Sequence, residues 1–240
     1  MNDSEVNRDE KIIVVKRNGP YVVSGDIPLV RKIQVVSEYG EPLTWKKTET
    51  LKTRKTYLLC RCGKSSTMPF CDATHARIPF DGTETADERS TLERRYALPG
   101  GVQFAFRRDD YLCMESGFCG TRFSTFDQLV AQSADSNVRS QVIAMVERCP
   151  SGSLTYALIG EKADNEQDLP QEIAATTDIL SDGPVAGALW VMGGIPIRRS
   201  DGRLLEIRNR VTLCSCGRSA KKPLCDGVHR VRITPPDGNG

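Results

Sequence analysis

Histidine is scarce in this 240-residue chain, with two copies, and aromatic residues make up only 6%. Charge of one sign is missing too. The 33 Lys and Arg face 31 Asp and Glu, a net charge of +2. Such a balance leaves no electrostatic footprint for nucleic acid, and no such partner is expected. Long hydrophobic runs are absent. The longest apolar stretches, such as residues 185–197, fall short of a membrane span and contain Gly and Pro, so no membrane partner is expected. The first ten residues, MNDSEVNRDE, are acidic and polar. They have neither the apolar core of a signal peptide nor the acid-poor, Arg-rich character of a transit peptide. The reading is a soluble, cytoplasmic protein with a disordered N-terminus over 1–10. The chain also contains no C-x-x-C pair and no Gly-rich phosphate loop, and no His free of the cysteine motifs to serve as a base. An enzyme is not expected.

Cysteine is what the sequence has instead. There are nine, an odd number, in a chain without a secretion signal. Thiols in a reducing compartment serve as metal ligands, catalytic groups or small core residues more often than as disulfides. Six of the nine, with both histidines, fall in a repeat. Cys60, Cys62, Cys71 and His75 recur as Cys214, Cys216, Cys225 and His229, each 154 residues later. Both copies read C-x-C-G-K/R-S-x3-P-x-C-D-x2-H. A segment beginning at Gly19 also recurs at Gly187, and the first copy carries 14 extra residues between this segment and its cysteines. The segments at 11–16, 19–29, 32–36, 187–197 and 208–213 are rich in Val, Ile and aromatics, with Gly and Pro as punctuation, and read as short strands.

In each repeat, C-x-C can present two thiolates to one metal ion. The third Cys and the His, four residues apart, share a helix face and can grip a second. Asp72 and Asp226 could cap the short helix that carries the His. The Gly after the second Cys allows a sharp turn and close approach of backbone to sulfur. Three Cys and one His also suit a structural zinc ion, although the spacing lies outside the common C-x2-4-C finger pattern.

The string closely resembles the CDGSH (NEET) iron–sulfur family, whose pattern is C-x-C-x2-S/T-x3-P-x-C-D-G-S/A/T-H. Ser65, Ser219, Pro69 and Pro223 match it. Ala73 and Thr74 replace the family's Gly and Ser in the first copy, and Val228 stands beside a retained Gly227 in the second. The resemblance implies a 2Fe–2S cluster in each copy. Cys60 and Cys62 would hold one iron and Cys71 and His75 the other, repeated by Cys214, Cys216, Cys225 and His229. Single-motif members pair as strand-swapped dimers, so two motifs in one chain imply an intramolecular pseudo-dimer and a monomeric protein.

The remaining cysteines are Cys113, Cys119 and Cys149, in the patterns C-x5-C and a later C-P-S-G. Residues 96–160 resemble a divergent single-cluster ferredoxin-like domain with Ser116 where the middle Cys would stand. Three thiolates would suit a 3Fe–4S cluster, or a 4Fe–4S cluster with Ser116 or Glu115 as the fourth ligand. The segments 102–106 and 154–158 read as strands. Val138, Val142, Met145 and Val146 fall at helical spacing and predict a helix over 136–148 capped by Asp135 or Ser136.

The expected architecture is α+β. A CDGSH-type unit spans 11–85, a ferredoxin-like α/β unit spans 94–160, an acidic solvated linker spans 161–182, and a second β-rich CDGSH-type unit spans 183–235. Trp45 and Trp190 read as packing residues. The basic residues near both motifs, among them Arg61, Lys64, Arg199, Arg210 and Arg218, read as a solvated face. The leading function is electron transfer through two 2Fe–2S clusters and one 3Fe–4S or 4Fe–4S cluster, toward a redox partner protein. The alternatives are cluster or iron transfer to an apo-protein acceptor, and a zinc-binding structural module.

Overall fold

The computed structural model describes residues 10–231. The expected disordered stretch 1–10 lies outside the described residues except for Glu10, as does the chain beyond 231. Twelve strands are present among the described residues: β1 (Ile12–Val15), β2 (Tyr21–Ser24), β3 (Leu29–Val36), β4 (Pro42–Leu51), β5 (Tyr57–Leu59), β6 (Tyr96–Ala97), β7 (Phe104–Arg108), β8 (Leu154–Leu158), β9 (Ile173–Leu180), β10 (Gly183–Met192), β11 (Ile197–Arg198) and β12 (Arg210–Leu213). The helices are α1 (Thr91–Arg94), α2 (Phe126–Ala131) and α3 (Ser136–Arg148). The protein is α+β, mostly sheet.

The two halves that carry the repeat use the same strand registers. Tyr21, Val22 and Val23 pair with Leu59, Leu58 and Tyr57. Their counterparts Leu189, Trp190 and Val191 pair with Leu213, Thr212 and Val211. In each half an antiparallel neighbour lies on the other side, Ile13 opposite Val23 and Ile173 opposite Val191. The third strand of each half then crosses over. β11 lies parallel to β1, with Ile13 opposite Ile197. β3 lies parallel to β9, with Leu29 opposite Ile173. The crossings give two sheets, ordered β11-β1-β2-β5 and β12-β10-β9-β3-β4. One apolar core, including Ile13, Tyr21, Val23, Leu29, Ile173, Leu189, Val191 and Leu213, draws on both halves. The extra residues of the first copy form the outer part of the long β3–β4 hairpin.

The middle segment makes a third sheet, β6-β7-β8, against which α2 and α3 pack through Phe106, Phe126, Leu129, Val142, Val146 and Leu154. Helix α3 spans the predicted residues, and the Asp135 carboxylate accepts from the Asn137 and Val138 amides at 2.7 and 3.1 Å. The strand expected at 102–106 runs two residues later, as β7.

Two expectations need correction. Residues 161–182 are a solvated linker only in part: 161–171 are irregular and mostly exposed, but the rest is not. Residues 173–180 are β9, central in its sheet, with Ile173 and Asp178 fully buried. Three acidic side chains of this stretch meet basic partners: Asp164 meets Arg95 and Arg107, Glu166 meets Arg210, and Glu172 meets Lys32 and Lys47. The basic residues near the motifs are not all a solvated face. Arg61, Arg199 and Arg210 are buried, because their guanidinium groups satisfy backbone carbonyls the fold encloses. Arg61 donates to Lys16 O, Gly19 O and Gly82 O, and Arg210 to the carbonyls of Val146, Glu147, Cys149 and Leu154. Lys64 remains exposed. The short helices expected to carry the histidines are present as single 3-10 turns, Thr74–Ala76 and Val228–Arg230. Trp45 and Trp190 do pack together, with ring centroids 5.9 Å apart.

Candidate metal centres

Each cysteine loop leaves the end of a strand and is folded back onto it. Cys60 N donates to Pro69 O at 2.9 Å and Cys71 N to Leu58 O at 3.0 Å. In the second loop Cys214 N donates to Pro223 O at 2.8 Å and Cys225 N to Thr212 O at 2.9 Å. The third cysteine is thereby held beside the first. The motif serines close the loops, Ser65 Oγ donating to Phe70 O and Ser219 Oγ to Leu224 O, at 2.6 and 2.7 Å. Asp72 and Asp226 are not the caps that the sequence suggests: the cap positions are held by Ala73 and Gly227, and each Asp stands one residue earlier, where it ties the turn to the loop. Asp72 accepts from Ser66 N and Thr74 N at 2.8 and 3.0 Å. Asp226 accepts from Ala220 N and Val228 N at 2.7 and 3.1 Å. The bonds from Ser66 and Thr74 hold the Asp72 carboxyl well below its ordinary range.

The donors come in pairs. Cys60 and Cys62 Sγ are 3.7 Å apart, and so are Cys214 and Cys216 Sγ. Cys71 Sγ lies 3.3 Å from His75 Nδ1, and Cys225 Sγ 3.4 Å from His229 Nδ1. Two thiolates at this separation suit one tetrahedral metal ion with metal–sulfur bonds of about 2.3 Å. Among the described residues no three His, Cys, Asp or Glu side chains gather around one point as a single ion needs. The donors of each loop thus stand as two pairs, Cys with Cys and Cys with His. An open cleft of about 610 Å³ between the loops is lined by Cys62, Lys64, Cys216, Arg218, Lys222 and His229.

The glycines after the second cysteines let the next amides, of Lys64 and Arg218, bond to the sulfurs of Cys62 and Cys216, and they serve a second purpose as well. Gly63 has φ +69°, and a Cβ there would lie 2.5 Å from Cys216 O. Gly217 has φ +78°, and a Cβ there would lie 2.9 Å from Cys62 O. The two loops thus press backbone to backbone, each glycine against the other loop's cysteine. Tyr21 adds a link, its hydroxyl donating to Cys214 O at 2.8 Å.

Desolvation pushes up the thiols of Cys62 and Cys71. Cys225, buried, is pushed up to about 12. Within the second C-x-C pair the Cys214 thiol donates to Cys216, which draws Cys216 down to about 6 and pushes Cys214 up. A metal displaces the protons of such thiols when it binds.

The three middle cysteines come from separate places in the middle segment, and the finding that no three such side chains gather around one point among the described residues holds for them too. Cys113 ends the 3-10 turn Asp110–Leu112, Cys149 follows α3, and Cys119 lies at the surface. Desolvation pushes up the thiols of Cys113 and Cys119, and the charge of Cys149 adds to the rise. Ser116 is buried and its carbonyl accepts from Gln34 Nε2 at 2.7 Å, whereas Glu115 is exposed with φ +56°.

Sequence reasoning missed two residues near these sites. Asp178 accepts from His229 Nε2 at 3.0 Å and from Arg230 Nη1 at 2.7 Å. Gln34 joins β9 to the middle segment, accepting from Ile179 N at 3.0 Å and donating to Ser116 O. The β-branched, strand-like run around Asp178, Ile-Ala-Ala-Thr-Thr-Asp-Ile-Leu, was a readable signal that the surrounding acidic residues concealed.

The family model described as iron-binding zinc finger CDGSH type matches residues 18–76 and 186–230. These two matches take in all eight paired donors, and they support an iron-binding protein with two CDGSH-type motifs. No curated protein and no solved structure matches the chain. Among the described residues, no helix is long and apolar enough to cross a membrane.

Proposed function

We propose that this protein is a multi-cluster iron–sulfur electron carrier rather than an enzyme. In this reading the repeat loops hold two 2Fe–2S clusters, and Cys113, Cys119 and Cys149 hold a 3Fe–4S or 4Fe–4S cluster in a ferredoxin-like unit. The observation that carries it is the duplicated pairing of donors, Cys with Cys and Cys with His, in each loop. When bound, such clusters accept and release single electrons. The protein's part is to fix the donors and limit solvent. Strand ends and serine bonds set the thiol positions, and the Asp72 and Asp226 carboxylates tie down the His turns. The reciprocal strand crossings and the Gly63–Cys216 and Gly217–Cys62 approaches support an intramolecular pseudo-dimer.

A second reading, iron or cluster transfer to an apo-protein acceptor, has one observation in its favour: Cys71 and His75 are both partly exposed. The two are separated on protein purified without oxygen. The carrier reading expects a red-brown protein with iron in excess of zinc, bleached by dithionite and restored by reoxidation over repeated cycles. It also expects a 3Fe–4S or 4Fe–4S paramagnetic signal that Cys119→Ala abolishes while the 2Fe–2S signals persist. Stoichiometric loss of iron and sulfide to an apo-ferredoxin without a reversible cycle would favour transfer. A colourless, zinc-loaded protein would overturn both.

A further inference from the structure

The two repeat loops differ at the far side of the histidine ring. His229 is buried, and its Nε2 meets Asp178 Oδ2 at 3.0 Å. Asp178 is fully buried and is held in turn by Arg230 Nη1 at 2.7 Å, while its Oδ1 has no partner. Gly187 makes room for this arrangement, since a Cβ there would lie 3.1 Å from Asp178 Oδ1 and 2.3 Å from Thr176 Oγ1. His75 is only half-buried, and among the described residues nothing is bonded to its Nε2.

The difference comes from strand length. Val15, paired with Tyr21, is the counterpart of Ala175, paired with Leu189. β1 stops there and its hairpin closes at once, with Gly19 N donating to Lys16 O. β9 continues to Leu180, three residues past Ala175 lies Asp178, and the extended β9–β10 hairpin carries that carboxylate to the second His turn.

A carboxylate that accepts from one imidazole nitrogen fixes the ring's orientation and keeps the proton on that nitrogen. The opposite lone pair is then free for a metal. Here the opposite nitrogen is Nδ1, the atom that faces Cys225 Sγ. We propose that Asp178 is a positioning residue for His229, and that it makes the second loop the site that retains its metal while the first loop is the site that gives it up. This rests on the iron–sulfur reading of the loops. It adds an inequality between them that neither the motif nor the repeat contains.

The test uses the full chain loaded with iron and sulfide, reduced with dithionite and exposed to the ferrous chelator ferrozine. One CDGSH-type site is observed at a time, in Cys60→Ala for the second loop and Cys216→Ala for the first. The second loop should release iron at least about tenfold more slowly than the first. Asp178→Ala should speed release from the second loop by about 10- to 100-fold, the usual effect of losing such a partner, with the first loop unchanged. Should the alanine variant fail to fold, Asp178→Asn keeps the volume and an acceptor but not the charge. It should still speed release by about three- to tenfold and raise the second loop's reduction potential. Release rate and potential within twofold of the parent in Asp178→Asn, or equal rates for the two loops in the parent, would overturn the proposal. Failure of the iron–sulfur reading itself looks different, because the parent would then hold no iron and sulfide to release.

Discussion

The two cysteine loops share a motif and a strand register, yet they sit in different surroundings. The first is open on its His side, with Cys71 and His75 half-buried and Ala73 exposed. The second is roofed. Lys221 Nζ donates to Cys113 O at 2.9 Å, and Met114, Ala188 and Cys225 form a small buried cluster. At the residue after the motif Asp, the first loop has Ala73 at φ 64° and the second has Gly227 at φ 85°. A Cβ at Gly227 would lie 2.8 Å from Met114 O. Both positions need a left-handed backbone, and the second also needs the absence of a side chain, because the middle segment closes over it. The comparison teaches that a duplicated metal motif can be set apart by what is packed on it, with the donors unchanged.

The largest effect that would sharpen this contrast is in metal loading. With Cys214 and Cys225 pushed up and Cys216 drawn down to about 6, the metal-free second loop carries two thiol protons at neutral pH. Loading must expel both, so apparent iron affinity should rise with pH, by about tenfold per proton and about 100-fold per pH unit between pH 6.5 and 8.5. Below about pH 6 a third proton, on Cys216, should steepen the slope. Competition with a chelator during reconstitution in Cys60→Ala, with protons counted against a protein-free blank, measures this. A pH-independent affinity would show that the burial of these thiols does not govern loading.

Next in size is the roof itself. Gly227→Ala places a methyl group against Met114 O and forces a non-glycine residue to positive φ, at a cost of about 2–4 kcal/mol in chemical denaturation. A cost below about 1 kcal/mol would mean that the middle segment is not pressed onto the second loop. The smallest effect runs the other way. Ala73→Gly relieves the left-handed strain at an open position but adds backbone entropy to the unfolded chain, so it should stabilise the protein by no more than about 1 kcal/mol. If this substitution destabilises, Ala73 makes a contact that its exposure does not suggest.

What could be read in the sequence follows from where the signals were local. The ligand spacing, helix α3 with its Asp135 cap, and strands such as β1, β8 and β12 are encoded within a few residues each. What required the fold was non-local. Strand β9 was hidden because its acidic neighbours Glu161, Asp164, Glu166, Asp168 and Glu172 resemble a solvated run, although most of them find basic partners far away in the chain. The buried roles of Arg61 and Arg210 depend on carbonyls contributed by distant turns. Asp178 stands 51 residues from His229, so no motif contains both. The parallel pairings of β11 with β1 and of β3 with β9 join segments more than 140 residues apart, so no local pattern encodes them.

The account turns on each loop holding two metals by pairs, with a single histidine nitrogen on one of them. Pulsed electron paramagnetic resonance of the reduced protein, with histidine labelled by nitrogen-15, tests this most directly. The account predicts a strongly coupled histidine nitrogen on both 2Fe–2S signals, with His75→Cys removing one coupling and His229→Cys the other. Two 2Fe–2S signals without any strongly coupled histidine nitrogen, or no such signals in protein loaded with zinc, would contradict it.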